Sequence, residues 1–166
     1  SHTIVQQGLQ ILENLSHRGA QGCDPCTGDG AGILLQVPHE FLKRAADDVG
    51  VLLPNAGEYG VGMVFLPPQI DARQQCEALF SRIVEEEGAR LLGWRDVPVK
   101  SDAIGAVARS TEPFMRQVFI ARDVLNEGQF ERKLYVIRKR VETAIRESAI
   151  QGRDYFYISS LSASTI

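Results

Sequence analysis

Apolar residues near the start of the chain recur at intervals of three and four positions, the spacing of one face of an α-helix. They are Ile4, Gly8, Ile11, Leu12 and Leu15. The pattern predicts a helix over residues 3–15, with Ser1 or Thr3 as its N-cap.

The clearest helical periodicity lies in the last third of the chain, at Phe130, Leu134, Ile137, Val141 and Ile145. Charges of both signs occupy the intervening positions, as on an exposed helix surface. We therefore expect a long helix with a solvated outer face, in preference to a phosphate-binding or nucleic-acid-binding patch.

Short apolar runs bounded by glycine and proline predict strands. They cover residues 33–37, 60–66, 90–96, 115–121 and 155–161, and another strand is expected to begin at 164–166. The run at 60–66 is apolar at successive positions, which suits a strand covered on both faces.

Two further helices are predicted between these strands. Pro38 is expected to open a short one that carries Phe41, Leu42 and Ala45. Asp71 is expected to cap a longer one that Gly88 closes. The pattern over residues 101–113 is irregular.

The stretch HRGAQGCDPCTGDGAGILLQV, residues 17–37, is dense in glycine and then turns apolar. Glycine tolerates positive φ and lets another backbone or a ligand approach, so the stretch predicts a loop that forms a site, or else a plain connector. Arg18 has two possible roles. It pairs with the carboxylate of Asp24 or Asp29, or it interacts with the dipole at the end of the first helix.

Composition narrows the class of function. The 166 residues are 44% hydrophobic and 23% charged, average values for a globular domain. The net charge of -3 comes from 18 basic and 21 acidic side chains without long blocks of one sign, which argues against a nucleic-acid or membrane partner. With no secretory signal in the sequence, we expect a cytoplasmic protein that acts on a small molecule.

The chain has three cysteines, Cys23, Cys26 and Cys76, which do not make a disulfide framework. Cys23 and Cys26 form a C-x-x-C pair. Because no second ligand pair or suitably spaced histidine accompanies them, the sequence favours ordinary loop thiols over a metal or redox site.

Five segments together carry a family resemblance: LQILENLSHRGAQGCDPCTGDGAGILLQVPHEF, GEYGVGMVFLP, LLGWRDVPV, FERKLYVIRKR and FYISSLSASTI. In this order they resemble the amino-terminal glutaminase domain of the glutamate synthase large subunit, a class II glutamine amidotransferase. The resemblance extends over nearly the whole chain, so residues 1–166 are expected to be part of one such domain.

The resemblance implies an α/β (α+β) fold, in part an αββα four-layer sandwich of the N-terminal nucleophile hydrolase type. It also implies hydrolysis of glutamine to glutamate and ammonia. The ammonia would then be added to 2-oxoglutarate by the synthase domains of the same polypeptide. FMN and an iron-sulfur cluster are implied for the whole enzyme, with none in this segment, and a small subunit or ferredoxin is the implied electron-transfer partner. The residues implied to support the glutamine pocket are Arg18, Gly19, Asp29, Gly30, Ala31 and Gly32.

The family attacks glutamine with a cysteine at a processed N-terminus, whose α-amino group serves as the base. That cysteine is expected upstream of Ser1, and the oxyanion-hole motif is expected after Ile166. The chain alone is therefore expected to be inactive. Residues 162–165 read SAST where the family more often has an arginine before the threonine.

Two alternatives remain. One is a non-catalytic binding or structural module that keeps the amidotransferase fold, which predicts a reading frame that begins near Ser1 and ends near Ile166. The other is a phosphate bound by the backbone amides of the GDGAG loop, which is disfavoured because neither a Walker lysine nor a G-x-G-x-x-G spacing is present.

Overall fold

A computed structural model describes residues 2–19, 26–27 and 30–166 of the chain. The helices are α1 His2–Asn14, α2 His39–Asp47, α3 Ile70–Glu86, α4 Ala106–Ser110 and α5 Glu127–Glu147. The strands are β1 Tyr59–Leu66, β2 Arg90–Asp96, β3 Phe114–Ala121 and β4 Tyr157–Ser162. Short 3₁₀ segments cover Ser16–Arg18, Ser101–Ala103 and Arg153–Tyr155.

The chain divides into two compact units. The first consists of Ser1–Leu34 and Pro98–Glu112, and the second of Leu35–Val97 and Pro113–Ile166. The first unit contains α1, α4 and most of the glycine-rich stretch. The second contains all four strands together with α2, α3 and α5.

The second unit is built on an antiparallel sheet with the strand order β2-β3-β1-β4. β1 lies in the interior of the sheet and pairs with β3 from Tyr59 opposite Ala121 to Leu66 opposite Phe114. Most of its residues are buried in succession, so both faces of the strand are covered. This confirms the interpretation of the apolar run at 60–66.

Helices α3 and α5 cover one face of the sheet. The apolar stripe of α5, which consists of Phe130, Leu134, Ile137, Val141 and Ile145, is almost completely removed from solvent. On transfer scales each such side chain stabilises the folded state by about 1.5–3 kcal/mol. The stripe is the one that the sequence predicts.

Helix α2 contributes to a second apolar cluster, with Leu42 and Ala46 buried beside Val51, Tyr59 and Phe119. Pro38 is the N-cap of α2, as expected. Of the predicted apolar residues, Leu42 is buried and Ala45 is half-buried, but Phe41 is 52% exposed. Ala46, which the prediction left out, is buried.

The mixture of helices and antiparallel strands confirms the predicted fold class. Among the described residues the named strands form one sheet, with two helices on one of its faces. They correspond to one β-layer and one α-layer of an αββα sandwich, in line with the partial fold expected.

The strands predicted at 33–37 and 164–166 are reduced to one isolated bridge, between Gln36 and Thr165. Leu35 and Ile166 exchange both backbone hydrogen bonds, each 2.9 Å from N to O, and the Val37 N–H donates to the Ser164 carbonyl at 3.0 Å. The two segments thus pair with each other, but too briefly to form a ladder.

Two predicted boundaries and one region without a predicted element need correction. Helix α3 begins at Ile70 with Gln69 as its N-cap, so Asp71 lies in the first turn, where a carboxylate still complements the helix dipole. Strand β4 begins at Tyr157, because a 3₁₀ turn occupies the preceding residues. The irregular region at 101–113 contains two short helical segments. Gly88, at φ +66°, closes α3 as expected.

Candidate functional site

Arg18 lies in the 3₁₀ turn that follows α1. The Leu15 N–H donates to the Ile11 carbonyl at 3.0 Å, and the Arg18 N–H then donates to the Leu15 carbonyl at 2.9 Å, which tightens the helix end. Arg18 is exposed, so burial does not oblige it to find a counter-ion. Arg18 lies in the last turn of a helical segment, which favours the hypothesis that it interacts with the helix dipole. Asp24 and Asp29, the two candidate carboxylates, lie outside the described residues.

Helix α1 forms as predicted, but its apolar stripe is not buried within the described residues. Ile4 is 63% exposed and Ile11 is 58% exposed. The closest neighbour of the helix at Gly8 is Ile33: a Cβ placed on Gly8 would lie 3.6 Å from Ile33 Cγ2. The chain that leaves the glycine-rich loop therefore runs beside the middle of α1.

Gly30, Ala31 and Gly32 are all exposed. Neither glycine has a positive φ, and a Cβ added at either would meet nothing described within 4 Å. Gly19 is also extended, with φ −77° and ψ 148°. At these described positions the positive-φ explanation for glycine does not apply. The other explanation, that glycine lets a ligand or another backbone approach, remains a prediction. Asp29 lies outside the described residues.

The apolar continuation of the loop differs from the expected buried strand. Leu34 is 72% exposed and Ile33 is 36% exposed, whereas Leu35 is half-buried. The physical reason is that interstrand hydrogen bonds begin only at Leu35, with Ile166.

Sequence reasoning missed the segment that hydrogen-bonds to Cys26 within the glycine-rich stretch. The Gly105 N–H donates to the Cys26 carbonyl at 3.0 Å, and Gly105 is buried. Arg109 makes this segment compact by donating from Nε to the Ser101 carbonyl at 2.8 Å and from Nη2 to the Ile104 carbonyl at 3.2 Å. The short helices that bring these groups together give no periodic signal in the sequence.

The two described cysteines have different environments. Cys26 is exposed, whereas Cys76 is buried in α3, where burial and, secondarily, the Glu77 charge raise its pKa to about 11. A thiol with that pKa is protonated at neutral pH and is a poor nucleophile. Cys23, the other half of the C-x-x-C pair, lies outside the described residues.

The described part of the chain contains neither a candidate metal cluster nor a helix suited to span a membrane. No group of three or more histidine, cysteine, aspartate or glutamate side chains there could hold a metal ion. None of the described helices combines the length and apolar character that a bilayer crossing demands.

The outer face of α5 is tied to the end of α3 by ion pairs. Glu87 accepts from Arg140 Nη1 at 2.8 Å and from Lys133 Nζ at 3.0 Å. These two hydrogen bonds hold the pKa of Glu87 below its usual value. This part of the charged face is paired within the protein, as expected for a solvated helix surface.

Comparisons with known proteins concern the whole chain. The family model for class II glutamine amidotransferases matches residues 1–166. The chain is 47% identical over 168 residues to the large chain of an NADPH glutamate synthase from Bacillus subtilis, with 100% of this chain and 11% of that protein covered.

Two further relatives come from eukaryotes. The NADH glutamate synthase of Schizosaccharomyces pombe is 36% identical over 174 residues, with 100% of this chain and 8% of that protein covered. The ferredoxin-dependent glutamate synthase 2, chloroplastic, of Arabidopsis thaliana is 37% identical over 168 residues, with 100% and 10% covered. The chain thus spans about a tenth of the length of these relatives.

Proposed function

The chain belongs to the class II glutamine amidotransferases, and we propose that its residues 1–166 form part of the single glutaminase domain of a glutamate synthase. The observation that carries the proposal is the match to the family over all of these residues, together with relatives of three kinds that are all named glutamate synthases. The mixed fold around an antiparallel sheet supports it.

The proposed reaction is the hydrolysis of the side-chain amide of glutamine. A cysteine thiolate attacks the amide carbon, the carbon–nitrogen bond breaks and ammonia leaves with a proton from the α-amino group that acted as base. Water then cleaves the thioester, which gives glutamate and restores the thiol.

We assign the attacking thiol to none of the cysteines at positions 23, 26 and 76. Cys76 is buried and has a pKa of about 11, which removes its thiolate at neutral pH. Cys23 and Cys26 are interior to the chain and lack the neighbouring α-amino group that the chemistry uses. The 166 residues by themselves are therefore expected to hydrolyse no glutamine.

The ammonia is proposed to pass to synthase domains of the same polypeptide and to add to 2-oxoglutarate. FMN, an iron-sulfur cluster and a small subunit or ferredoxin belong to that part of the proposal, and no residue of this chain is assigned to them. A cytoplasmic location stays a prediction, since one relative is named chloroplastic.

We propose that the loop supports the glutamine pocket through Arg18, Gly19, Asp29, Gly30, Ala31 and Gly32. Gly30 and Gly32 support this proposal, because neither a positive φ nor a nearby described atom explains why these positions are glycine. Glycine at such positions leaves room for a ligand or another backbone to approach. Arg18, exposed at the end of α1, is available to a carboxylate of the loop.

The test uses the protein as its gene encodes it, with Gly30→Ala and Gly32→Ala substituted separately. We expect glutaminase kcat/KM to fall about tenfold or more, because small displacements of positioning groups are costly in catalysis. The temperature of unfolding should not change. Gly128→Ala is the matched control, since a Cβ there also meets no atom closer than 3.7 Å.

Two results would count against these proposals. Unaltered glutaminase activity in both loop variants would remove the loop from the pocket. If the unmodified protein released no ammonia from glutamine and was not labelled by a glutamine-like electrophile, the non-catalytic module would be the correct interpretation.

A further inference from the structure

The segment that follows β2, residues 98–112, belongs to the same compact unit as most of the glycine-rich stretch. Gly105 is the one residue of this unit that is buried, counted over the described positions 2–19, 26–27, 30–34 and 98–112. Its N–H donates to the Cys26 carbonyl at 3.0 Å. Since a buried N–H without a partner is costly, this hydrogen bond is a fixed point between the two parts of the unit.

Polar contacts hold the segment in shape. Helix α4 has five residues, too few for a helix that is stable alone in water. None of the apolar side chains of residues 98–112 is buried, so packing contributes little. Arg109 instead donates from Nε to the Ser101 carbonyl at 2.8 Å and from Nη2 to the Ile104 carbonyl at 3.2 Å. Hydrogen bonds with a charged donor are stronger than neutral ones, so Arg109 stabilises the segment.

The Ile104 carbonyl and the Gly105 N–H belong to the same peptide group. Because a peptide group is planar and rigid, the hydrogen bond from Arg109 also fixes the direction of the N–H that donates to Cys26. A hydrogen bond to the carbonyl polarises the peptide group and strengthens the bond that its N–H donates. Arg109 therefore acts on the Cys26 carbonyl through one rigid group.

The Cys26 carbonyl lies shortly before the residues proposed to support the glutamine pocket. Cys26 precedes Gly30 by four positions. After Gly32 the chain runs beside α1, where a Cβ placed on Gly8 would lie 3.6 Å from Ile33 Cγ2. Cys26 and Ile33 thus flank residues 30–32 in sequence, and each contacts another part of the same unit. Displacement of Cys26 changes the path of the backbone between them.

We propose that Arg109 is a positioning residue for glutamine hydrolysis. Through the peptide group of Ile104 and Gly105 it holds the Cys26 carbonyl, and so sets the path of the backbone towards Gly30. The inference rests on the proposed function, because it takes residues 30–32 as supports of the glutamine pocket. Arg109 itself is assigned no contact with glutamine.

The first test needs no substitution. The protein as its gene encodes it is labelled with a diazoketone analogue of glutamine, which alkylates the attacking thiol, and hydrogen exchange is measured by mass spectrometry. We expect the label to slow exchange of the amides of residues 101–109 about fivefold or more, since coupling between two sites is reciprocal. Exchange of residues 127–133, at the start of α5, should not change.

Two outcomes of this test separate the inference from the proposed function. A labelled protein with unchanged exchange at residues 101–109 would overturn the inference alone. A protein that takes up no label would refute the proposed function, and the inference with it.

The second test removes the hydrogen-bond donor. Gly105 has φ −63°, which proline requires, and Ile104 is extended, with φ −108° and ψ 155°, as a residue before proline prefers. Gly105→Pro therefore deletes the N–H in a compatible backbone, and Gly105→Ala is the matched control that adds a side chain and keeps the N–H. We expect glutaminase kcat/KM to be about tenfold or more lower in the proline variant than in the alanine variant.

The third test asks whether Arg109 acts through the same hydrogen bond. Arg109→Gln should lower kcat/KM about tenfold or more by itself, but less than about twofold when Gly105→Pro is already present, because both changes break one link. Arg132→Gln, at an exposed position of α5, should have no effect. Glutamate formation from added ammonium and 2-oxoglutarate needs no glutamine pocket, so it should stay unchanged in every variant.

The opposite results contradict the proposal. Equal kcat/KM in the proline and alanine variants would remove the role of the Gly105 N–H. Effects of Arg109→Gln and Gly105→Pro that multiply would show that Arg109 acts independently of that N–H. Loss of ammonium-dependent synthesis together with glutaminase activity would show that Arg109 serves folding alone.

Discussion

A methyl group added at Gly62 would meet side chains of both flanking strands and a backbone oxygen of one of them. Gly62 lies on β1, directly opposite Val118 on β3 and Leu161 on β4. A Cβ at this position would lie 2.9 Å from Val118 Cγ1, 2.9 Å from Leu161 Cδ1 and 3.0 Å from the Ser160 carbonyl oxygen. Relief of these contacts requires the Val118 and Leu161 side chains to shift and the β4 backbone to give way at Ser160.

The expected cost follows from these contacts. Overpacking a well-filled core costs about 1–3 kcal/mol, whereas replacing glycine with alanine gains about 0.4–1 kcal/mol from the unfolded chain. We expect Gly62→Ala to lower the free energy of unfolding by about 1–2 kcal/mol. Gly60→Ala should cost less, because its contacts, as close as 2.6 Å, involve only the end of the Leu134 side chain.

The assay is hydrogen exchange of the β1 and β3 amides, measured by mass spectrometry in the protein as its gene encodes it. Exchange reports the local free energy of opening, so it avoids the assumption of a single unfolding transition. Gly128→Ala is again the control. Protection in the Gly62 variant that equals the control, or a larger loss in the Gly60 variant, would refute the packing argument.

Three further predictions concern single side chains. Hydrogen bonds with Arg140 and Lys133 lower the pKa of Glu87 in the folded protein. The carboxylate therefore stabilises the fold above its ordinary pKa of about 4.3, and this stabilisation is lost as the pH falls through the folded pKa. Glu87→Gln should flatten the acid limb of a profile of melting temperature against pH. At pH 8 a pKa of about 11 leaves about one Cys76 thiol in a thousand ionised, so iodoacetamide should modify it at least about a hundredfold more slowly in the folded than in the urea-unfolded protein. Asn126→Ala should cost about 1 kcal/mol in exchange protection of the first turn of α5, because the Asn126 side chain accepts from the Gln129 N–H at 2.9 Å. An acid limb as steep in the Glu87 variant as in the unmodified protein would contradict the first prediction. Equal labelling rates of Cys76 in the folded and unfolded protein would contradict the second, and unaltered protection in the Asn126 variant would contradict the third.

The parts of the fold that could be predicted from the sequence are those in which burial determines the spacing of apolar residues. The stripe of α5 is completely buried, so its 3.6-residue period survives in the sequence without exceptions. β1 is covered on both faces, so it is a continuous apolar run. Boundaries were predicted less well, as at Asp71, because several first-turn positions of a helix favour a carboxylate.

The candidate site was less accessible to sequence reasoning. Its glycines and Arg18 could be singled out from composition and from the family resemblance. The hydrogen bond between Gly105 and Cys26 could not, because it joins segments far apart in sequence through backbone groups that every residue has. The exposure of Leu34 was also missed, since an apolar run alone does not specify what covers it.

Three pairs of described glycines differ in the physical reason for having glycine at that position. Gly88 and Gly152 have positive φ, and Gly60 and Gly62 face atoms that leave no room for a methyl group. Residues 30 and 32 belong to neither group. Alanine at the first four positions should therefore change stability, through strain or overpacking. Alanine at residue 30 or 32 should leave stability unchanged and should affect only the approach of a ligand or another backbone to the loop. A set of variants in which stability and glutaminase activity fell together at every position would mean that the loop glycines serve folding, and the assignment of the loop to the glutamine pocket would fail.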